Sequence, residues 1–207
     1  MFENSIRFSI CYMLQFSHMK ESKCAIFLAD GFETCEGLIV IDLLRRAGIT
    51  IDMISMNDTL SVTTSQNVVL NAEKLYKDVN ASDYDVLILP GGKVGTKNLE
   101  ACESLKKSLK EHFESGKLTC AICAAPSIFG HLGMLEGKKY TCFPDFDDEY
   151  GGTYQQELAV TDGNLITARG MGATLEFARE ILKQLIDEDG MKKVQHGIQY
   201  EHTFRNE

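Results

Sequence analysis

No apolar run in the 207 residues approaches the ~20 that a membrane-spanning helix needs, so no spanning helix is expected. Internal repeats and low-complexity tracts are missing as well, which excludes solenoids and compositionally disordered chains. There is no excess of basic residues. Twenty-one Lys and Arg against thirty Asp and Glu give a net charge of −9, which argues against nucleic acid or an anionic membrane as the main partner. The seven cysteines lack the spacing of a metal knuckle, and their odd number and irregular positions point to reduced thiols in a cytoplasmic setting. The Cys-x-x-Cys at Cys120 and Cys123 falls on a strand, where positions three apart face opposite sides, so it is a poor dithiol. What is present is ordinary for a globular chain: 44% hydrophobic and 25% charged residues, enough for one α/β domain with a sizeable core.

The first 22 residues stand apart. Phe8 to Phe16 is weakly apolar behind Arg7, but Gln15 interrupts it and Glu3 is unusual in a leader. Met19, followed by Lys20-Glu21-Ser22-Lys23, looks a more natural start, so we expect a dispensable extension rather than an organelle-targeting segment. Residues 23–190 are expected to form the domain and 191–207 a tail with no assigned structure.

Along the domain, short apolar runs alternate with helical patterns. Cys24 to Ala29 and Val86 to Leu89 read as strands buried on both faces. Thr50 to Met56 reads as a further strand, and Ser61–Thr64 with Val68–Leu70 as a hairpin excursion. Thr34 to Arg46 is helical and apolar nearly all round, the pattern of a buried or interface helix. A helix is predicted from about Lys97 to Phe113, with Leu99, Leu105 and Leu109 on one face, and another from Ala173 to about Asp187. Tyr140 to Cys142 is a possible strand start, and Asp145 to Glu149 an acidic, solvated loop. Asp162-Gly163-Asn164 turns a hairpin. The alternation implies a parallel sheet with helices on both faces and a ligand site beyond the carboxyl ends of its strands.

Three suspicious stretches fall at such ends: Gly31 to Glu36, Pro90-Gly91-Gly92, and Cys123. Cys123 closes the apolar run Leu118 to Ile122 and is followed by Ala124, Ala125 and Pro126. Strand, sharp turn and helix start make the geometry of a nucleophile elbow, in which small neighbours let the backbone bend and expose the reactive atom. At a helix N-terminus the dipole favours a thiolate, so a lowered thiol pKa is expected here.

Several ordered segments together resemble the ThiJ/PfpI family, in the branch of the parkinsonism-associated protein deglycase and its bacterial relatives. They are Ile26-Phe-Leu-Ala-Asp-Gly-Phe-Glu33, Asp42-Leu-Leu-Arg-Arg-Ala-Gly48, Tyr84-Asp-Val-Leu-Ile-Leu-Pro-Gly-Gly92, Ala121-Ile-Cys-Ala-Ala-Pro126, and Thr167-Ala-Arg-Gly-Met-Gly172 with Glu176-Phe-Ala178. The resemblance implies a flavodoxin-like three-layer α/β sandwich of the class I glutamine amidotransferase-like kind, and a homodimer formed through the helix around Thr34–Arg46. It implies that Cys123 is the functional cysteine and that Glu36, placed by alignment through Asp42 to Gly48, is the acid that hydrogen-bonds it. Gly91, Gly92 and Ala124 match positions that bind substrate, with the Gly92 and Ala124 N–H groups forming an oxyanion hole. No metal and no cofactor is implied. A carboxyl buried beside a thiolate should be protonated, because desolvation and like charge both raise its pKa.

The chain also departs from the family pattern. Relatives with peptidase or strong glyoxalase activity carry a histidine directly after the cysteine, where this chain has Ala124, and a second histidine position is occupied by Phe143. His131 reads as a surface or helix-end residue, so a Cys–His couple and peptidase activity are not expected. The resemblance then implies a cofactor-independent glyoxalase or deglycase acting on 2-oxoaldehydes such as methylglyoxal, or on their adducts. The alternative is a non-enzymatic redox sensor or chaperone that reports through oxidation of the same cysteine. Nothing in the sequence supports thiamine-related chemistry.

Overall fold

The chain's short β-branched and aliphatic runs build the centre of a sheet. In the computed structural model, which describes residues 22–200, that sheet has seven strands. They are β1 (Lys23–Leu28), β2 (Thr50–Ser55), β5 (Lys74–Leu75), β6 (Val86–Leu89), β7 (Leu118–Ile122), β10 (Ala159–Asp162) and β11 (Leu165–Ala168). Their spatial order is β10-β11-β7-β6-β1-β2-β5, parallel throughout except for the β10–β11 hairpin. Strands β3 (Ser61–Thr63) and β4 (Val69–Asn71) form the small antiparallel excursion, and β8 (Lys139–Tyr140) pairs with β9 (Thr153–Tyr154). Residues 1–21, and with them nearly all of the expected extension, lie outside the described range.

Period-two alternation divides the core into two layers. Ile26, Leu28, Ile88, Cys120, Ile122 and Ile166 face helices α1 (Thr34–Arg46) and α5 (Thr174–Lys183), meeting Val40, Leu44, Phe177 and Ile181. Ala25, Phe27, Leu87, Leu89 and Ala121 face α3 (Glu103–Glu114) and α4 (Pro126–His131), meeting Leu105, Leu109, Ile128 and Phe129. The result is the helix–sheet–helix sandwich expected from the sequence.

The helix predicted from about Lys97 to Phe113 is two helices. α2 (Lys93–Glu100) starts directly after Gly92, and α3 begins after a break at Ala101–Cys102. Leu99 and Leu105 are six residues apart, about 600° of helical rotation, so one straight helix could not point both inward. The break lets both be fully buried. The C-terminal stretch that the sequence left unassigned contains α6 (Glu188–Gly197), whose Val194 joins the α1–α5 layer of the core. The Tyr200 hydroxyl donates to Glu176 Oε1 at 2.9 Å and ties this helix to α5. No helix among the described residues is long and apolar enough to cross a membrane.

β1 and β6 are neighbours whose following connections leave in opposite directions, β1 toward β2 and β6 toward β7. The crevice beyond their carboxyl ends is the switch point where open α/β sheets place ligands.

Candidate active site

Three strand ends converge at this crevice. Cys123 follows β7 with φ +67°, a left-handed conformation that a non-glycine residue adopts at about 1–3 kcal/mol. Its surroundings hold it there: the Cys123 N–H donates to the Ala168 carbonyl at 2.9 Å, and the Cys123 carbonyl accepts from the Phe143 N–H at 2.7 Å. Ala125 N–H closes the turn on Ile122 O at 3.1 Å, and Pro126 occupies the first position of α4. This is the elbow expected from the local sequence. The thiol is half-buried.

Glu36 lies in the first turn of α1 and is wholly buried. Its Oε2 accepts the Gly91 N–H at 2.8 Å. Oε1 is buried without a conventional hydrogen-bond partner, and the group with which it can share a proton is the Cys123 thiol, which interacts with this carboxyl. Gly91 stands between the two. A Cβ there would lie 2.5 Å from Cys123 Cβ and 2.7 Å from Glu36 Oε2, so only glycine permits the approach. The following Gly92 turns with φ +88° into the start of α2, and a Cβ there would meet Gly31 O at 2.4 Å. The Glu33 N–H also donates to Gly91 O at 3.0 Å, which joins the β1–α1 and β6–α2 loops.

The electrostatics differ from the dipole expectation. Burial, then the Glu36 charge, pushes the Cys123 thiol up to about 12, while the Gly92 and Ala124 N–H groups hydrogen-bond the sulfur and pull the other way. α4 is only six residues long, so its dipole is a weak counterweight to desolvation. Burial raises Glu36 to about 7, and the nearby Glu33 charge adds to this, against the Gly91 and Cys123 hydrogen bonds. Two acids therefore share one poorly solvated pocket, and ionisation of either opposes ionisation of the other. With Glu36 protonated, the charge that opposes the thiolate is gone and a carboxyl proton is available to the sulfur.

All five residues singled out from the sequence meet here. Gly92 and Ala124 present N–H groups to the sulfur. The N–H of Gly91 is occupied by Glu36, so its contribution is to aim the acid rather than to donate to a substrate. His131 is half-exposed and bonded to Glu100, away from the sulfur. Sequence reasoning did not assign a role to Gly170: a Cβ on it would be 4.0 Å from Cys123 Sγ and 3.4 Å from the Phe143 ring. The Arg-Gly-Met-Gly motif after β11 carried that signal, but only the fold brings it to the cysteine. Among the described residues no group of three or more His, Cys, Asp or Glu side chains could hold a metal ion.

Comparison with known proteins shows the family and the fold. The DJ-1/PfpI family matches residues 22–184. Over 170 residues the chain is 35% identical to protein DJ-1 homolog B of Arabidopsis thaliana, which covers 81% of this chain but 39% of that protein, so the chain spans about two-fifths of that relative's length. It is 27% identical to the glutathione-independent glyoxalase DJ-1 of Schizosaccharomyces pombe over 81% of this chain and 93% of that one. Among solved structures, oxidized Toxoplasma gondii DJ-1 superposes with a TM-score of 0.83 at 30% identity, covering 87% of this chain and 100% of the other.

Proposed function

Because the chain belongs to the DJ-1/PfpI family, we propose that it is a cofactor-independent glyoxalase or deglycase that uses Cys123 as nucleophile and Glu36 as proton carrier on 2-oxoaldehydes or their adducts. The observation that carries this reading is a wholly buried carboxyl, raised to about 7, beside a half-buried thiol flanked by two backbone N–H groups.

The thiol adds to the aldehyde carbon of methylglyoxal, forming an S–C bond; the carbonyl π electrons move to oxygen, and the proton lost from sulfur passes by way of Glu36 to that oxygen, leaving Glu36 a carboxylate. Gly92 and Ala124 N–H groups are suited to hold that oxygen as it gains charge. Glu36, as carboxylate, removes the hydrogen from the hemithioacetal carbon and returns it to the neighbouring ketone carbon through an enediol. The product is a lactoyl thioester of Cys123. Water cleaves it, releasing lactate and the free thiol, with no net oxidation. A carboxyl that titrates near neutrality serves both directions of proton transfer. The absence of an imidazole at Ala124 and Phe143, with His131 engaged by Glu100, speaks against a peptidase.

The test is lactate formation from methylglyoxal by the purified protein. We expect turnover that is lost in Cys123→Ala and Glu36→Gln. No turnover under any condition would overturn the reading. The redox-sensor alternative draws on the same acid, whose proton would stabilise a sulfinate on Cys123. It is favoured if mild peroxide adds two oxygens to Cys123 in a protein that forms no lactate.

We also propose that two copies pair through α1. Val40, Ile41, Leu43 and Leu44 are buried in the protomer's own core, but Leu38 remains 38% exposed. The β3–β4 hairpin, which exposes Val68 and Val69, is tied to the same helix by Thr34 Oγ1 to Thr64 Oγ1 at 2.8 Å. A cytoplasmic location is part of the same proposal.

A further inference from the structure

β11 carries a buried polar atom that its own ladder does not use. Thr167 is wholly buried, and its strand is already paired with β7 on one side and β10 on the other. Ile166 and Ala168 face the α1–α5 layer, so by alternation Thr167 turns toward the α3–α4 layer, which holds Leu165, Tyr140 and Cys142. A hydroxyl in an apolar layer costs free energy unless it is bonded. Its partner is the Thr141 N–H, at 2.9 Å. That N–H lies one residue past the β8–β9 pairing in a wholly buried residue, so no strand is there to accept it. Thr141 in turn donates its own hydroxyl to the Glu157 carbonyl at 3.1 Å, just ahead of β10. Both limbs of the connection from β8 to β10 are thus fastened at Thr141, and Thr141 is fastened to β11.

Two residues on, the same segment reaches Cys123. A left-handed φ of +67° on a cysteine persists only where the surroundings over-determine it, and two main-chain bonds do so. One comes from the sheet: the Cys123 N–H donates to the Ala168 carbonyl, and Ala168 is held by both neighbouring strands. The other comes from outside the sheet: the Phe143 N–H donates to the Cys123 carbonyl at 2.7 Å. Phe143 belongs to no strand, its ring is 46% exposed, and Pro144 after it has no N–H to give. The Phe146 N–H closes a turn on Phe143 O at 3.1 Å, but that turn leads into the exposed acidic loop. Between Thr141 and Phe143, the Cys142 carbonyl has only a long contact with the Tyr154 hydroxyl, 3.4 Å. The short, buried bond that fixes where the Phe143 N–H stands is the one from Thr141 to Thr167.

We propose that Thr167 is a positioning residue for Cys123: its hydroxyl hooks residues 141–143 onto β11 and so sets the Phe143 N–H against the Cys123 carbonyl, which holds the left-handed turn. Both main-chain bonds of Cys123 then trace back to adjacent residues of one strand, Ala168 by its carbonyl and Thr167 through its side chain. The bearing on catalysis rests on the reading above that Cys123 is the nucleophile; the hook itself does not.

Thr167→Val keeps nearly the same shape and removes the acceptor, whereas Thr167→Ser keeps the acceptor. The first measurement is native-state amide hydrogen exchange. In the parent, the Thr141 and Phe143 amides should open as one unit, with protection factors within about threefold of each other. In Thr167→Val, the Thr141, Phe143 and Cys123 amides should each exchange about tenfold faster beyond any change in β6, the scale for a buried donor left unpaired. A general loss of stability would move β6 equally. Thr167→Ser should return all three to the parent's protection. The second measurement is turnover of methylglyoxal: Thr167→Val should lower kcat by about tenfold with little change in KM, as for a misplaced reacting group, and Thr167→Ser should restore it. Protection of Thr141 and Phe143 that differs widely in the parent overturns the inference, and so does a Cys123 amide or a kcat that Thr167→Val leaves unchanged. If the parent forms no lactate but the exchange pattern holds, the hook stands and the glyoxalase reading falls.

Discussion

Glu36 makes the fold's stability depend on pH. Its carboxyl is raised from 4.5 to about 7, chiefly by burial. As pH rises from about 4.5 toward 7, the unfolded chain releases this proton and the native state keeps it. The stability present below pH 4.5 is therefore lost progressively through that window and levels off above it. Glu36→Gln has no such proton, so its advantage over the parent should open from nothing near pH 4.5 to on the order of 3 kcal/mol at pH 8. Urea denaturation of both proteins at the two pH values reads this directly. The same variant removes the charge that opposes the Cys123 thiolate, so the midpoint of its alkylation–pH profile should move down. Cys123 was legible at this scale because its turn chemistry is local. Glu36 was not: a lone helix glutamate 87 positions away reads as a surface residue, and only the family pattern singled it out. The raised thiol was missed because burial is a property of the assembled crevice.

At the scale of elements, the sequence separated strands from helices well wherever a run was apolar and continuous, as in β1, β6 and β7. It failed where two helices adjoin, because Leu105 and Leu109 share a helical face and Leu99, six residues before Leu105, reads as part of the same stripe although the break at Ala101–Cys102 is what turns it inward. It left α6 unassigned because its one buried residue, Val194, gives no repeating stripe. The closeness of Phe143 to Cys123 was hidden for a related reason: a twenty-residue excursion separates them, and no local rule says where it returns. The apolar character of α1 has two sources. Most of it fills the protomer's core, and Leu38 is left outward. If α1 is an interface, Leu38→Glu should yield monomers at micromolar concentration in analytical ultracentrifugation, while the circular dichroism spectrum stays that of the parent.

For the whole molecule, acid stability should be governed in part by a residue remote from the crevice. His112 on α3 is buried, with Nε2 and the Leu118 carbonyl 3.2 Å apart, and burial with the Lys117 charge lowers its pKa from 6.5 to about 4. Above pH 6.5 both folded and unfolded states are neutral at this position. Below it the unfolded chain takes up a proton that the native state refuses, so stability falls as pH drops from about 6.5 through 4. His112→Gln should flatten that limb by on the order of 3 kcal/mol, seen as a smaller loss of melting temperature between pH 7 and pH 4. Its neutral-pH stability reports separately on the lost ring packing.

The left-handed backbone at Cys123 means that the proposed nucleophile sits on a loaded spring. Removing the sulfur does not by itself release the spring: Cys123→Ala keeps a Cβ in the same disfavoured conformation, whereas Cys123→Gly does not. Both proteins should be inert toward aldehydes, yet the glycine form should melt higher than the alanine form by a few degrees, about 1 kcal/mol. That gap measures how much durability this scaffold gives up to keep this thiol upright.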